Sequence, residues 1–289
     1  MSGSAFTDDF FTTADGPKIH FRDYPAVGEE RGLPVLCLHG LTRNVNDFAE
    51  LAPQIAALGR RVIVASQRGR GKSGWDPQPE RYQPPTYTMD MVALLDHLGI
   101  EQAVYVGTSM GGLMSLITPT LAPGRLAAAV INDIGVEIAP EGIERIQSNV
   151  SARGAVKTWD EAIERTIASN LEAFPRRKGD RAFWDWFAQK IWVEVPGGYD
   201  LAYDQAIIDQ FDEGGDLPDL WPFWAPFKDI PVLVVRGGIT DLLTQATVEA
   251  MRARKPDMAY AEVPDVGHAP FMTEPEAWSA IEDFLGRVD

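Results

Sequence analysis

The feature that most constrains the fold is a serine flanked by glycines, within residues 102–117. An apolar, β-branched run leads into Gly107, Ser109 follows two positions later, and Gly111 precedes an apolar helical run. A turn from strand to helix around such a serine is so tight that the residues two positions away must be nearly side-chain-free. The turn lifts the Ser109 hydroxyl clear of a sheet and directs the Met110 N–H toward a developing oxyanion. Ser109 is therefore the candidate nucleophile.

Short apolar runs recur along the chain, and they lack polar alternation. This pattern is typical of strands buried on both faces, and helical patterns separate most of these runs. The runs lie at residues 34–40, 61–66, 104–106, 125–132, 231–237 and 258–263. Two short strands, within residues 8–13 and 18–24, precede them, and a helix at 275–288 closes the chain. Such alternation predicts an α/β fold with a mostly parallel, doubly wound sheet.

The alternation stops after Gly135 and resumes near residue 229. The intervening residues 136–228 have helical patterns and are too long for an ordinary loop, so we expect a helical cap insertion. The α/β core would then comprise residues 1–135 and 229–289. Six of the chain's eight tryptophans fall in the insertion. They would either line an apolar substrate pocket or pack the cap onto the core.

A serine nucleophile needs a base within hydrogen-bond reach and a third group that orients the base. His268 lies in a loop after the last predicted strand, where it can reach over the edge of the sheet toward Ser109. Asp241 follows a buried strand and fits the chain order serine, acid, histidine, so it is our preferred acid. Asp133, which also follows a strand, is the alternative acid.

An oxyanion hole needs a second N–H besides that of Met110. The segment His39-Gly40-Leu41 follows the first buried strand, at the same predicted edge of the sheet. The Leu41 N–H is therefore the second candidate donor, and Gly40 would let the backbone approach the substrate. We interpret His39 as a structural residue that shapes this loop.

Charge and composition exclude several classes of partner. The 289 residues carry a net charge of −16, which makes nucleic acids and anionic membranes poor partners. The single cysteine, Cys37, lies in an apolar run, and no Cys/His spacing suggests a metal site or a cofactor. The N-terminal residues have no apolar signal core and no run approaches 18 apolar residues, so we expect a cytoplasmic protein.

Together these motifs resemble the α/β-hydrolase superfamily, nearly end to end. The motifs are His39-Gly-Leu, Arg68-Gly-Arg-Gly-Lys-Ser73, Gly107-Thr-Ser-Met-Gly-Gly112, Asp241 and Gly267-His268. The resemblance implies Ser109 as nucleophile, His268 as base, Asp241 as orienting acid, and Leu41 and Met110 as oxyanion donors. One departure is Ser66, because the family often has aspartate two places before the arginine of the glycine-rich loop. This departure puts a structural hydrogen bond in doubt.

The function that follows is hydrolysis of a small carboxylic ester through an acyl-enzyme intermediate. A serine at this turn argues against the haloalkane dehalogenases and epoxide hydrolases of the superfamily, which use aspartate there. Alternatives within the superfamily are an enol-lactonase or a carbon–carbon bond hydrolase. A more distant alternative is a small-molecule receptor that retains the triad. The sequence leaves the natural substrate and the oligomeric state open.

Overall fold

A computed structural model describes residues 5–151, 154–213 and 218–288. Within them, ten strands occur along the chain. They are β1 (Thr7–Thr12), β2 (Lys18–Tyr24), β3 (Val35–Leu38), β4 (Val62–Ala65), β5 (Ala103–Thr108), β6 (Leu126–Asn132), β7 (Trp192–Val195), β8 (Gly198–Leu201), β9 (Val232–Gly237) and β10 (Ala259–Val263). Eight of these form one sheet in the order β1-β2-β4-β3-β5-β6-β9-β10. All neighbouring pairs from β4 to β10 are parallel, and only the two pairs that involve β2 are antiparallel.

Helices cover both faces of this sheet. They are α1 (Leu51–Ala57), α2 (Pro84–His97), α3 (Met110–Leu121), α4 (Pro140–Ser151), α5 (Trp159–Asn170), α6 (Arg181–Ile191), α7 (Ala206–Glu213), α8 (Trp221–Trp224), α9 (Gln245–Arg254) and α10 (Pro275–Leu285). Helices α2, α3 and α9 pack on one face, and α1 and α10 pack on the other. Every residue of β3 is buried, and its side chains alternate between the two cores because successive side chains of a strand point to opposite faces. The predicted doubly wound sheet is confirmed.

The segment between β6 and β9, residues 136–228, is called the inserted segment below. Its described residues contain α4 to α8 and, against our expectation of helices alone, an antiparallel hairpin of β7 and β8. The turn between these strands contains Gly197, which has a φ of 91° that glycine adopts without strain.

Some residues used in the sequence interpretation lie outside the described ranges. They are residues 1–4 of the N-terminal stretch and residues 152, 153 and 214–217 of the inserted segment. Among the described residues, no helix combines the length and apolar character that crossing a membrane requires.

Candidate active site

The candidate nucleophile lies at a strained turn between β5 and α3. Ser109 has a φ of 53° and a ψ of −116°, an unusual conformation for a residue with a side chain. A methyl group at Gly107 would overlap the Gly111 carbonyl, and one at Gly111 would overlap the Leu38 carbonyl on β3. Both glycines are therefore required by close backbone approach, as the sequence interpretation proposed.

His268 joins the serine to a carboxylate. Its Nε2 lies 2.9 Å from Ser109 Oγ, and its Nδ1 lies 2.8 Å from Asp133 Oδ2. Because a carboxylate oxygen accepts, the Nδ1–H donates to Asp133 and Nε2 is left to accept from the serine hydroxyl. The Asp133 side chain is fully buried, and that of His268 is only 10% exposed. The three groups thus form a continuous hydrogen-bonded chain at the carboxyl end of the sheet.

The contact with His268 that we expected from Asp241 is made by Asp133, the alternative acid. Asp241 lies four residues beyond the end of β9, and its carboxylate binds Nε and Nη2 of Arg145 on α4. Burial opposes the charged form of Asp241, but the hydrogen bonds and the positive charge of Arg145, with smaller contributions from the backbone and His268, together lower its pKa. Asp241 therefore faces the inserted segment and not the imidazole.

Asp133 is fixed by its position directly after β6. This residue has a φ of 55°, and its carboxylate also accepts the Gly237 N–H at 2.8 Å and the Thr240 hydroxyl at 2.6 Å. Strand β6 is the neighbour of β5 in the sheet and follows it in the chain. Strands that are consecutive in the chain are usually adjacent in the sheet, so an acid directly after the strand that follows β5 is expected close to Ser109. This signal in the sequence favours Asp133 over Asp241.

Hydrogen bonds of the His39 ring stabilise the loop that carries Leu41, the second candidate oxyanion donor. The Nδ1–H of His39 donates to the Gly40 carbonyl at 2.7 Å, and Nε2 accepts the Gln67 N–H at 3.2 Å. Complete burial lowers the pKa of His39 to about 3, so the ring is neutral near pH 7. The imidazole thus acts as a neutral support that shapes the loop before Leu41, in agreement with the sequence interpretation.

Arg70 contacts both residues that supply the candidate oxyanion donors. The guanidinium is fully buried and donates through Nε to the Leu41 carbonyl at 2.8 Å, and its Nη2 lies 3.7 Å from Met110 Sδ. It also stacks on the ring of Tyr87, 4.4 Å from the centroid. The sequence of the glycine-rich loop does not reveal this role, because it does not indicate which of its arginines faces the site. Ser66, at the departure from the family pattern, accepts the Val45 N–H through its hydroxyl.

A cavity of about 380 Å³ opens onto Ser109 and His268 between the core and the inserted segment. Leu41 lines it on the side of the loop that follows β3. Within the described ranges of the chain, its other walls combine large apolar side chains with three arginines. The apolar side chains include Phe174, Phe187, Ile191, Trp192 and Phe271, and the arginines are Arg43, Arg145 and Arg165.

Most tryptophans of the inserted segment serve packing. Of the six, only Trp192 lines the cavity. Trp184 is buried in an apolar cluster of the inserted segment, where its ring stacks on Phe187 at 6.1 Å. Trp224 is buried against the main core and stacks on Phe227 at 5.2 Å. Of the two roles considered for these residues, packing accounts for the larger number.

The loop that bears His268 is fastened to the inserted segment. The Gly267 N–H donates to the Ala173 carbonyl at 2.7 Å, and a methyl group at Gly267 would come within 2.8 Å of the Ala173 Cα. Phe271, on the same loop, lies 4.8 Å from the ring of Trp186 and 5.3 Å from that of Phe174. The position of the imidazole therefore depends on the inserted segment as well as on the core.

The fold and the site define a family. The profile of the alpha/beta hydrolase fold family matches residues 34–275, and the chain belongs to this family. A solved α/β hydrolase from Novosphingobium aromaticivorans DSM 12444 is similar over 99% of each chain, with 38% identity and a TM-score of 0.90.

Two curated relatives add information about chemistry. A 3-hydroxybutyrate-oligomer hydrolase from Cupriavidus necator is 33% identical to the chain, over 89% of the chain and 90% of the relative. A 2-(acetamidomethylene)succinate hydrolase from Mesorhizobium japonicum is 27% identical, over 87% of each protein. These similarities support a hydrolase.

Proposed function

We propose that the protein hydrolyses carboxylic esters through an acyl-enzyme intermediate on Ser109. The observation that carries the proposal is the bridge made by His268 between the Ser109 hydroxyl and the Asp133 carboxylate, at the wall of a cavity. The similarity to an enzyme named for oligomers of 3-hydroxybutyrate, which are esters, supports this bond type.

The proposed reaction has two half-cycles. Ser109 attacks the ester carbonyl while His268 Nε2 takes its proton, and the N–H groups of Leu41 and Met110 stabilise the tetrahedral oxyanion. The imidazolium, stabilised by Asp133, then protonates the leaving alcohol. Water repeats the sequence on the acyl-enzyme and releases the acid. In this proposal residues 136–228 act as a cap that forms one side of the substrate cavity.

A cytoplasmic location stays a prediction.

The test is hydrolysis of p-nitrophenyl butyrate by the wild type and by Ser109→Ala. We expect turnover by the wild type and loss of at least about 10³-fold in kcat for the variant. The matched control is Ser115→Ala, because Ser115 is a buried serine of α3 whose hydroxyl donates to the Gly111 carbonyl and does not line the cavity. Equal turnover by Ser109→Ala and wild type would refute the assignment of the nucleophile.

The alternatives predict different outcomes. A lactone and a vinylogous diketone assayed beside the ester distinguish an enol-lactonase and a carbon–carbon bond hydrolase from an esterase. A receptor would allow a fluorophosphonate to label Ser109 but would turn over none of these substrates.

A further inference from the structure

The walls of the cavity have a charge opposite to that of the whole protein. The chain has a net charge of −16, yet among the residues that the structure describes three arginines line the cavity and only one carboxylate, that of Asp47, lines it with them. A low-dielectric pocket with apolar walls strengthens the attraction of such groups for an anion. The cavity is therefore built to favour a negatively charged group near Ser109.

Arg43 and Arg145 differ in where their counter-ions lie. Arg43 binds Asp47 through Nε and Nη2, and Asp47 itself lines the cavity, so the pair presents little net charge there. Arg145 lines the cavity too, but its partner Asp241 is not among the lining residues. In this ion pair the arginine is therefore the member that lines the cavity, and its counter-ion is not.

The backbone holds Arg145 in place before any ligand binds. Helix α4 lies close to the loop after β9, because a methyl group at Gly142 would come within 2.8 Å of the Asp241 carbonyl oxygen. The Ala139 N–H also donates to the Leu242 carbonyl at 3.0 Å. Asp241 occupies the Nε–Nη2 edge of the guanidinium. An arginine fixed in this way loses little conformational freedom when it binds a ligand.

We propose that Arg145 binds a carboxylate of the substrate, so that the preferred ester carries a free carboxylate away from the bond that is cleaved. A guanidinium has five N–H donors, and those of Nη1 extend beyond the edge taken by Asp241. This inference rests on the proposed ester hydrolysis and specifies its substrate class.

The test compares two substrates with the same scissile bond. One is the linear dimer of 3-hydroxybutyrate as the free acid, and the other is the same dimer with its carboxylate converted to an N-methylamide. We expect the wild type to have a kcat/KM at least about tenfold higher for the acid, the effect of one hydrogen bond to a charged group. In Arg145→Met this preference should fall about tenfold, whereas in Asp241→Asn, which breaks the same ion pair but keeps the arginine, it should persist.

A further control separates the local charge from the net charge. Arg31→Met makes the same change in net charge at an exposed residue whose side chain pairs with Glu29, and it should keep the wild-type preference. The proposal is overturned if the wild type does not discriminate between the substrates. It is also overturned if Arg145→Met and Asp241→Asn lower both activities alike, because the ion pair would then only fasten the inserted segment.

Binding provides a readout that does not depend on turnover. Calorimetric titration of both compounds into Ser109→Ala should show the same preference for the acid, and the double variant Ser109→Ala/Arg145→Met should lose it. If the wild type hydrolyses no ester, the proposed function fails while these titrations still decide the role of Arg145. If the titrations show no preference for the acid while p-nitrophenyl butyrate is hydrolysed, only the carboxylate site is refuted.

Discussion

Replacing Asp133 with asparagine should inactivate the protein without unfolding it. The asparagine oxygen can still accept the Gly237 N–H, which lies 2.8 Å from the carboxylate. The amide nitrogen would then face the Thr240 hydroxyl and His268 Nδ1, at 2.6 and 2.8 Å. The hydroxyl can rotate to accept from this amide, so we expect a small change in the free energy of unfolding.

Unlike the Thr240 hydroxyl, the His268 imidazole cannot adapt by rotation in Asp133→Asn. The amide N–H of the asparagine points at Nδ1 and forces that nitrogen to accept a hydrogen bond. The proton of His268 then moves to Nε2, which lies 2.9 Å from Ser109 Oγ and can no longer take the serine proton. The wrong tautomer in such a triad costs about 10⁴-fold in kcat, equivalent to about 5 kcal/mol of activation free energy.

The assay is hydrolysis of p-nitrophenyl butyrate, with urea unfolding as the measure of stability. Asp241→Asn is the matched control, and it should lower kcat by less than about fivefold because Asp241 contacts Arg145 and not the imidazole. The assignment of the acid is refuted if Asp133→Asn keeps more than about a tenth of the wild-type kcat, or if Asp241→Asn is the more damaging change.

Two further predictions concern the support of the oxyanion loop. Arg70→Met removes the hydrogen bond to the Leu41 carbonyl and should lower kcat by about tenfold or more with little change in KM; a raised KM at unchanged kcat would contradict this role. The pKa of His39 is about 3 in the folded protein against 6.5 in the unfolded chain. Below about pH 6.5 the unfolded state binds a proton that the folded state does not, so the free energy of unfolding should fall as the pH drops. Between pH 6 and 4.5, urea unfolding should show a slope for the wild type steeper by about 1.4 kcal/mol per pH unit than for His39→Gln, and equal slopes would refute the assignment.

Local sequence was sufficient to predict the serine turn and the sheet around it. Gly107 and Gly111 are needed for contacts within a few residues or with the adjacent strand, and all-apolar runs such as β3 are buried on both faces. His268 could be singled out because it lies in a loop directly after the last strand, at the correct edge of the sheet. These features depend on periodicity and backbone sterics, both of which are visible in the chain.

The choice of acid depended on contacts that are distant in sequence. Asp133 and Asp241 both follow strands, and although the adjacency of β5 and β6 favours Asp133, the partner of each carboxylate decides between them. Arg145 attracts Asp241 across 96 positions of sequence, and no local pattern predicts that pairing. The hairpin of β7 and β8 was missed for a related reason, because its short strands are half exposed and lack a buried face that would create a clear alternation.

The backbone hydrogen bond from Gly267 to Ala173 bears on how the protein could be redesigned. Residues 136–228 resemble an exchangeable unit, since they leave the sheet after one strand and return before the next. The imidazole loop, however, donates a backbone hydrogen bond to this unit and inserts Phe271 among its aromatic rings. A chimaera that receives another inserted segment would have to receive the matching loop of residues 267–271 as well. Swapping the inserted segment alone would alter the position of the imidazole as well as the walls of the cavity.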